Sequence, residues 1–357
     1  MPDKICVILG AGASHDVRNA GSLASGITGS GVVGDSHLRP PLARDLFNIE
    51  GNPHYWPYLQ EYNGATVLTQ GLAEQSKQAG FNLEGELRRL AEHPSAVVRN
   101  HFRTVPPYIR DLITACTDNY TPVPSCYVSL AQVLLAEAPS EVLFLVLNYD
   151  DLLEQALRLF DPSFTFEVLE DYVRSERQAK VVKLHGSISW FKLIGPRSGD
   201  WNQQILEQDV LAKTPDPEVV VSGRRQKTHA IELRESHVYP VLTAPLAGKG
   251  ITDMVCPSDH LETAREFLVD CRKFMIVGSS GVDEDLLDLL QSTVKGHSDL
   301  TAQFVCGDER ASQSSWEAFR RGLGVFNALV TPRDEIAYNG GFVTYTSSGA
   351  ALRFAMM

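Results

Sequence analysis

The chain has 357 residues, 43% of them hydrophobic and 21% charged, which is the composition of a globular protein with a large core in one or two domains. Its formal net charge of −12, without a sustained stripe of Lys and Arg, argues against direct binding of nucleic acid, which would have to come through a partner. The sequence has neither a secretory signal nor an apolar run near the roughly 18 residues of a membrane span, so we expect a cytoplasmic protein without membrane contact.

The first predicted element is a buried strand that ends in a glycine-rich turn. Five apolar residues from Ile5 to Leu9 lead into the sequence GAGAS, which begins at Gly10. Such a turn can lay backbone N–H groups against a phosphate at the start of the next helix, so a nucleotide or dinucleotide is the first ligand to consider. A purely structural turn is the alternative, because short glycine motifs often match by chance.

The pattern around this turn disfavours two common nucleotide sites. The dehydrogenase fingerprint needs a third Gly where this chain has His15, and an acidic residue after a second strand where this chain has a long loop rich in Gly and Ser. The P-loop pattern does not occur, since the stretch AGKGIT at 247–252 lacks both the first Gly and the hydroxyl residue after Lys. An ordinary dehydrogenase is therefore disfavoured and a P-loop is excluded.

The next hundred residues favour helices. Segments such as NLEGELRRLAEH and SLAQVLLAEA place apolar residues at helical spacing, and residues 45–140 contain no strand pattern as strong as the first. We expect a helical subdomain inserted into a sheet after its first strand.

Four further apolar runs predict strands, and each ends in polar or small residues. They are EVLFLVLNYD (141–150), AKVVKLHGS (179–187), KFMIVGSS (273–280) and TAQFVCGDE (301–309). Helical patterns alternate with them, which predicts an α/β fold with a doubly wound, Rossmann-like parallel sheet that binds ligands at the carboxyl ends of its strands. Loops and short strands are expected over the same edge at 190–258, and the Asn-Gly in EIAYNGGFVTYT predicts a C-terminal β-hairpin.

The cysteines give no sign of a disulfide scaffold or a zinc ribbon. All six lie far apart without a Cys-x-x-Cys pair; they are Cys6, Cys116, Cys126, Cys256, Cys271 and Cys306. We expect reduced, mostly buried thiols and no metal.

Taken in order, four strand-end motifs resemble the sirtuin superfamily of NAD-consuming proteins. The motifs are GAGAS, NYDDLLE, KLHGS and VGSSGVDEDL. The superfamily has at these places a Gly-Ala-Gly-x-Ser loop, an Asn and an Asp, a His-Gly strand end and a Gly-Ser/Thr-Ser turn. The resemblance spans the whole predicted sheet.

Two departures separate the chain from the protein-deacylating sirtuins. Those have two Cys-x-x-Cys pairs in a zinc module where this chain has only Cys256 and Cys271, and a Phe-Gly-Glu substrate strand that does not occur here. The segments VYPVLTAPLAGK and HLETAREFLVDCRKFMIVGSSGVDEDL instead look like the sirtuin-like NAD hydrolases of bacterial antiphage defence. In that branch the last turn is roughly Gly-Tyr-Ser with an Asp downstream, and Ser279 stands here for the aromatic residue.

The residue types suit cleavage of the nicotinamide–ribose bond, the reaction that the resemblance implies. Its oxocarbenium-like transition state needs an oriented nucleophile, a base and fixed polar groups rather than a metal. Asn148 can hold the ribose hydroxyls and the attacking water, and His185 can accept a proton from either. By resemblance, Asp150 orients the nicotinamide amide. The structural alternatives are that backbone groups satisfy Asn148 and His185 and that Asp150 caps the next helix.

Further residues are expected to bind NAD. Small residues that let the pyrophosphate approach are Gly10, Ala11, Gly12 and Ser14. Those expected at the adenosine are Gly278, Ser279 and Ser280, with Asp308 at its ribose. Tight turns are the alternative for these positions, and Asp283 and Asp285 are expected to cap the following helix.

Together these features predict an NAD glycohydrolase that takes NAD as substrate and releases nicotinamide and linear or cyclic ADP-ribose, as the toxic effector of an antiphage system. The predicted catalytic domain comprises 1–44 and 141–330, with the helical insertion at 45–140 and a hairpin or tail at 331–357. The alternatives are an NAD-dependent protein deacylase or ADP-ribosyltransferase and a non-catalytic nucleotide-sensing module. An enzyme that drains NAD needs a gate, so we expect a homo-oligomer or a second subunit such as a ring ATPase or an Argonaute-like protein.

Overall fold

A six-stranded parallel sheet organises the larger part of the molecule. The structure is a computed structural model, and it describes residues 3–16, 39–42, 45–78, 83–118, 125–138, 140–242, 255–294, 297, 299–323 and 336–357. The strands are β1 (Lys4–Leu9), β2 (Glu141–Val146), β3 (Ala179–Lys183), β4 (Gly186–Pro196), β5 (Val220–Val221), β6 (Glu232–Leu233), β7 (Ser236–Leu242), β8 (Lys273–Val277), β9 (Thr301–Val305) and β10 (Ala337–Tyr338).

Seven of the α-helices in the described residues lie between β1 and β2, and the others lie between or after the later strands. In chain order the α-helices are α1 (Ala11–Asp16), α2 (Trp56–Leu59), α3 (Asn63–Ser76), α4 (Leu83–Ala91), α5 (Ala96–Phe102), α6 (Val105–Asp118), α7 (Cys126–Gln132), α8 (Leu152–Phe160), α9 (Trp201–Glu207), α10 (Ser258–Asp270), α11 (Glu284–Val294), α12 (Glu309–Leu323), α13 (Gly341–Ser347) and α14 (Ala350–Met356).

The order of the strands is that of a dinucleotide-binding sheet. They lie in the order β10-β9-β8-β1-β2-β3, and every neighbouring pair is parallel. The chain thus winds outward from β1 to β3 and returns to build the other half from β8, so the order reverses between β1 and β8. A crevice at such a reversal is where open α/β sheets bind ligands. The predicted doubly wound parallel sheet is confirmed.

Two layers of helices cover the sheet, because successive side chains of a strand point to opposite faces. Ile5, Val7 and Leu9 of β1 pack with α7, α8, α13 and α14 on one face. Cys6 and Ile8 pack with α10, α11 and α12 on the other. Burial on both faces is the reason that these strands are continuous apolar runs.

The helical insertion after β1 is confirmed, with one qualification at its end. Helices α2 to α6 build a second core that they share with β4, β7 and α9. Helix α7 begins at Cys126 inside the predicted insertion, but its buried residues belong to the core of the parallel sheet.

A smaller antiparallel sheet follows His185, where loops and short strands were expected. Its order is β5-β4-β7-β6, and a sharp turn at Gly186 separates its first strand from β3. Gly186 has φ +81°, and a Cβ there would lie 2.1 Å from the carbonyl oxygen of Val241. Only glycine fits this position, so the residue after His185 is determined by packing.

The predicted C-terminal β-hairpin is wrong. β10 pairs in parallel with β9, and the residues after the Asn-Gly form α13 and α14 instead of a second strand. Asp16 of α1 accepts a hydrogen bond from the backbone N–H of Val343 at 2.9 Å, which satisfies the first turn of α13 from a distant part of the chain. Phe342 and Tyr345, three residues apart, are then both buried on one helical face.

None of the helices in the described ranges is long and apolar enough to cross a membrane. All six cysteines are free thiols, and all but the half-buried Cys306 are buried. Burial raises the pKa of Cys116 to about 12, so that thiol stays protonated.

Candidate functional site

The register of the sheet brings the predicted strand-end residues to one edge. Leu9 is paired with Val146 on β2, and Val146 is paired with Lys183 on β3. The ladder continues past the strands, because the N–H of Leu184 donates to the oxygen of Val146 at 3.0 Å. Asn148 and His185 each follow their strand by two residues and therefore lie at the same level.

Two glycine turns pack against each other where the strand order reverses. A Cβ on Gly10 would lie 2.5 Å from the carbonyl oxygen of Gly278, and one on Gly278 would lie 2.2 Å from the nitrogen of Ala13. Gly278 also has φ +61°. The N–H of Gly12 donates to the oxygen of Gly278 at 3.0 Å. The close approach of the two turns explains why Gly10 and Gly278 are glycines. The N–H of Gly12 is already used in a hydrogen bond between the turns.

The cofactor roles of the first turn stay predictions. Tight packing is the structural alternative that the sequence left open for Gly10, Gly12 and Gly278, and Ala11 begins α1 beside them. Ser14, the last residue of GAGAS, is buried, and its side chain contacts the predicted catalytic residue Asn148.

Ser14 is the centre of a buried hydroxyl and amide network. The Nδ2 atom of Asn148 donates to Ser14 Oγ at 2.8 Å, and the hydroxyl of Tyr127 on α7 lies 2.8 Å from the same oxygen. The Oδ1 atom of Asn148 is buried and has no hydrogen-bond partner within the described part of the chain. A buried acceptor without a partner costs free energy, so its retention points to a ligand or water. The sequence carried no signal for Tyr127, which lies 113 residues from Ser14.

Asp150 lies just before the following helix, whose N-cap position is taken by Asp151. The Oδ1 atom of Asp150 accepts from the N–H of Leu152 at 3.2 Å. Burial raises the pKa of this carboxyl group above its ordinary value, and the nearby Lys183 ammonium and Ser14 hydroxyl reduce that rise. Its proposed contact with nicotinamide stays a prediction.

Lys183 ties the backbone of this loop to α8. The Lys183 side chain is fully buried, donates to the carbonyl oxygen of Asp150, and lies 3.1 Å from Oε1 of Glu154. Burial raises the pKa of Glu154, and the charge of Lys183 partly offsets that effect. The ion pair therefore holds the loop that follows β2.

His185 is held by an acid that the sequence assigned only to capping. Its Nε2 lies 2.6 Å from Oδ2 of Asp283, while Oδ1 of Asp283 accepts from the N–H of Leu286 at 2.8 Å. Burial alone would raise the pKa of Asp283, but His185 and the Leu286 N–H hold it below its ordinary value. Asp283 is therefore ionised at neutral pH and accepts from the ring. The Asp downstream of the last glycine turn was the sequence signal for it.

The structure places the adenosine-side residues at the ends of β8 and β9, where most already have structural partners. The carbonyl oxygen of Ser279 accepts from Ser315 Oγ at 2.6 Å, and its own Oγ accepts from the N–H of Gly281. Ser280 is exposed. Asp308 is exposed and accepts from the N–H of Ala311 at 2.8 Å, so it caps α12. Their contacts with NAD stay predictions.

All three predicted catalytic residues are buried. Asn148 is 6% exposed, Asp150 is 5% exposed and His185 is 1% exposed. In the part of the chain that the structure describes, no group of three or more His, Cys, Asp or Glu residues could hold a metal ion.

A family model, described as SIR2-like domain, matches residues 142–321, which is half of the chain. The chain belongs to the SIR2-like family. In this SIR2-like protein the matched part holds Asn148, Asp150, His185 and Asp283, whereas the first glycine turn and the helical insertion precede it.

Solved structures of sirtuins are similar to this SIR2-like protein along most of the chain, at low scores. A mutant Sir2 homologue in complex with 2′-O-acetyl ADP-ribose is 13% identical with a TM-score of 0.45, covering 99% of this chain and 92% of that one. Sir2Tm bound to a propionylated peptide is 13% identical with a TM-score of 0.40, covering 97% and 91%. A Sir2 homologue in complex with NAD is 13% identical with a TM-score of 0.33, covering 90% of each chain.

At this identity and at these TM-scores the likeness carries no inference about activity. No curated protein matches the chain.

Proposed function

We propose that this SIR2-like protein hydrolyses NAD at the nicotinamide–ribose bond, releasing nicotinamide and ADP-ribose. The observation that carries the proposal is that two strand-end residues at the same edge of the sheet offer a hydrogen-bond acceptor and a base. Asn148 keeps a buried amide oxygen without a partner, and His185 is held by the ionised Asp283. Membership in the SIR2-like family supports the use of NAD.

Asn148 is suited to orient the nucleophile. Because Nδ2 donates to Ser14, the amide is turned so that Oδ1 can accept a hydrogen bond from a water molecule or a ribose hydroxyl. The buried Ser14 and Tyr127 prevent the amide from rotating freely. A fixed acceptor lowers the entropy cost of placing water against the sugar.

His185 is suited to accept the proton. With Nε2–H donated to Asp283, Nδ1 is the basic nitrogen, and the carboxylate stabilises the positive ring that forms. In the proposed step water attacks the ribose carbon, the electrons of the broken bond leave with neutral nicotinamide, and the proton of the water passes to His185 and then to solvent. The developing positive charge on the sugar requires no metal.

The closed site fits an enzyme that is gated. Since Asn148 and His185 are both buried, part of the surrounding structure must move before NAD can reach them. We include in the proposal a homo-oligomer or a second defence subunit that opens the edge, and a role as the toxic effector of an antiphage system. The sequence resemblance supports that role.

A non-catalytic NAD sensor is the second candidate, and the burial of the same two residues favours it. A sensor would bind NAD without turnover, whereas a hydrolase would consume it.

The test is incubation of the purified protein with NAD and separation of the products by chromatography. We expect nicotinamide and ADP-ribose from the wild type, and none from Asn148→Ala or His185→Ala. Matched controls are the exposed Asn202→Ala and His229→Ala, which should keep the wild-type rate. Turnover that survives in Asn148→Ala or His185→Ala would refute these roles, and binding without turnover in the wild type would establish the sensor.

A further inference from the structure

Arg225 joins three parts of the molecule at one guanidinium. It lies between β5 and β6, in the antiparallel module. Its Nη2 donates to Oδ2 of Asp151 at 2.6 Å, and its Nε lies 3.4 Å from Oδ1 of Asp118. Asp151 directly follows Asp150 in the loop after β2, and Asp118 is the last residue of α6 in the helical insertion. One side chain therefore touches the loop of Asn148 and the insertion.

The backbone that presents Arg225 is itself attached to α6. Arg110 of α6 is fully buried, and its guanidinium donates to the carbonyl oxygens of Arg224 and Gln226, each at 2.5 Å. Asp111 of α6 accepts from the N–H of Thr228 at 3.0 Å and from its hydroxyl at 2.7 Å. The segment around Arg225 thus moves with the helical insertion.

The charge of Asp151 is balanced by its contact with Arg225. The Asp151 side chain is 7% exposed, and Arg225 is the cation paired with it. Gln155 Nε2 at 2.9 Å and Ser189 Oγ at 3.5 Å also contact this carboxylate, and both groups are neutral. A buried carboxylate that loses its cation is strongly destabilised, so the loop must rearrange when Arg225 is removed.

We propose that Arg225 is a positioning residue that holds the loop of Asn148 in its reactive geometry through Asp151 and makes that geometry follow the helical insertion. This role rests on the proposed hydrolysis of NAD, and it would regulate that same site. Asn148 is three residues from Asp151, so a displacement of the carboxylate shifts the amide that orients water. When assembly or a partner moves the helical insertion, Arg225 transmits that movement to Asn148 without itself contacting NAD.

The test compares Arg225→Met and Arg225→Lys with wild type and with Arg224→Met. The control removes the neighbouring arginine, whose side chain is exposed, and leaves the carbonyl that Arg110 holds. We expect Arg225→Met to lower kcat for NAD about 100-fold with a much smaller change in KM, since a displacement of about 1 Å is enough for such a loss. Arg225→Lys should recover part of kcat, because an ammonium can pair with Asp151 but not bridge both acids.

Hydrogen exchange of the peptide covering residues 147–152 gives a readout that needs no activity. We expect faster exchange there in Arg225→Met and wild-type exchange in Arg224→Met. If wild type does not consume NAD, the proposed function fails, and the exchange still decides the positioning role.

Two outcomes would overturn the inference. One is that Arg225→Met leaves both kcat and exchange unchanged. The other is that Arg225→Lys loses as much kcat as Arg225→Met while exchange becomes faster across the whole chain. If Arg225→Met does not fold, Arg225→Lys decides: a lower kcat at an unchanged unfolding midpoint supports the role, and an unchanged kcat overturns it.

Discussion

The Nε2 atom of His185 lies 2.6 Å from Oδ2 of Asp283, and the two residues are 98 positions apart. The contact joins the end of β3 to the start of α11 across the edge of the sheet. Asp283 accepts from the ring and from the Leu286 N–H with different oxygens, so one carboxylate orients the imidazole and begins a helix.

Asp283→Asn should separate these two tasks. An asparagine still caps a helix, so the unfolding midpoint should hardly change. The ring loses its ionised acceptor and can adopt the wrong tautomer, so we expect kcat to fall about 100-fold or more. Steady-state kinetics and thermal unfolding measure the two effects. Asp288→Asn, which removes an exposed carboxylate of the same helix, is the control. A wild-type kcat in both variants would show that Asp283 has no part in the reaction.

Tyr127→Phe tests whether the Ser14 network orients Asn148. The change removes one buried hydroxyl, and Tyr108→Phe does the same in the helical insertion, where the hydroxyl donates to Leu46. Each variant should lose about 1 kcal/mol of unfolding free energy by urea titration. Only Tyr127→Phe should lower kcat. If the Ser14 network has only a packing role, Tyr127→Phe and Tyr108→Phe should have the same kcat.

Gly278→Ala should be severely destabilising. The new Cβ would meet the nitrogen of Ala13 at 2.2 Å, at a φ of +61° that alanine rarely adopts. We expect a loss of at least about 2 kcal/mol by chemical denaturation. Gly307→Ala, where a Cβ would meet nothing within 4 Å, is the control and should stay near wild type. Similar stabilities would mean that the two turns do not touch.

His260 makes the fold sensitive to acid. Burial lowers its pKa from 6.5 to about 4, while Nε2 donates to the carbonyl oxygen of Leu169 at 2.9 Å. Between those pH values the unfolded chain binds a proton that the folded chain does not, so stability falls as the pH falls, by about 1.4 kcal/mol per unit.

His260→Gln keeps a donor for Leu169 but does not titrate. Urea unfolding across this pH window should show a smaller loss of stability in His260→Gln than in wild type, and the exposed His229→Gln should behave as wild type. Parallel pH curves for all three proteins would contradict the lowered pKa.

The apolar runs determined the parallel sheet by themselves, because strands buried on both faces must be apolar throughout and can be recognised without knowing their neighbours. The same local reasoning placed Asn148 and His185, since each directly follows such a run. It was wrong for the C-terminal segment, where the Asn-Gly signal is local but Asp16 caps α13 from the other end of the chain.

Only the tertiary structure decided which groups hold the predicted site residues. Tyr127 reaches Ser14, Asp283 reaches His185, and Arg225 reaches Asp151, each over more than 70 positions of sequence. The two glycine turns are likewise explained by their mutual contact at the point where the strand order reverses. Residue type and periodicity carry information only about the local environment of a residue, which its neighbours in the sequence determine. Partners across the sheet depend on strand order and register, and these arise only when the strands pair.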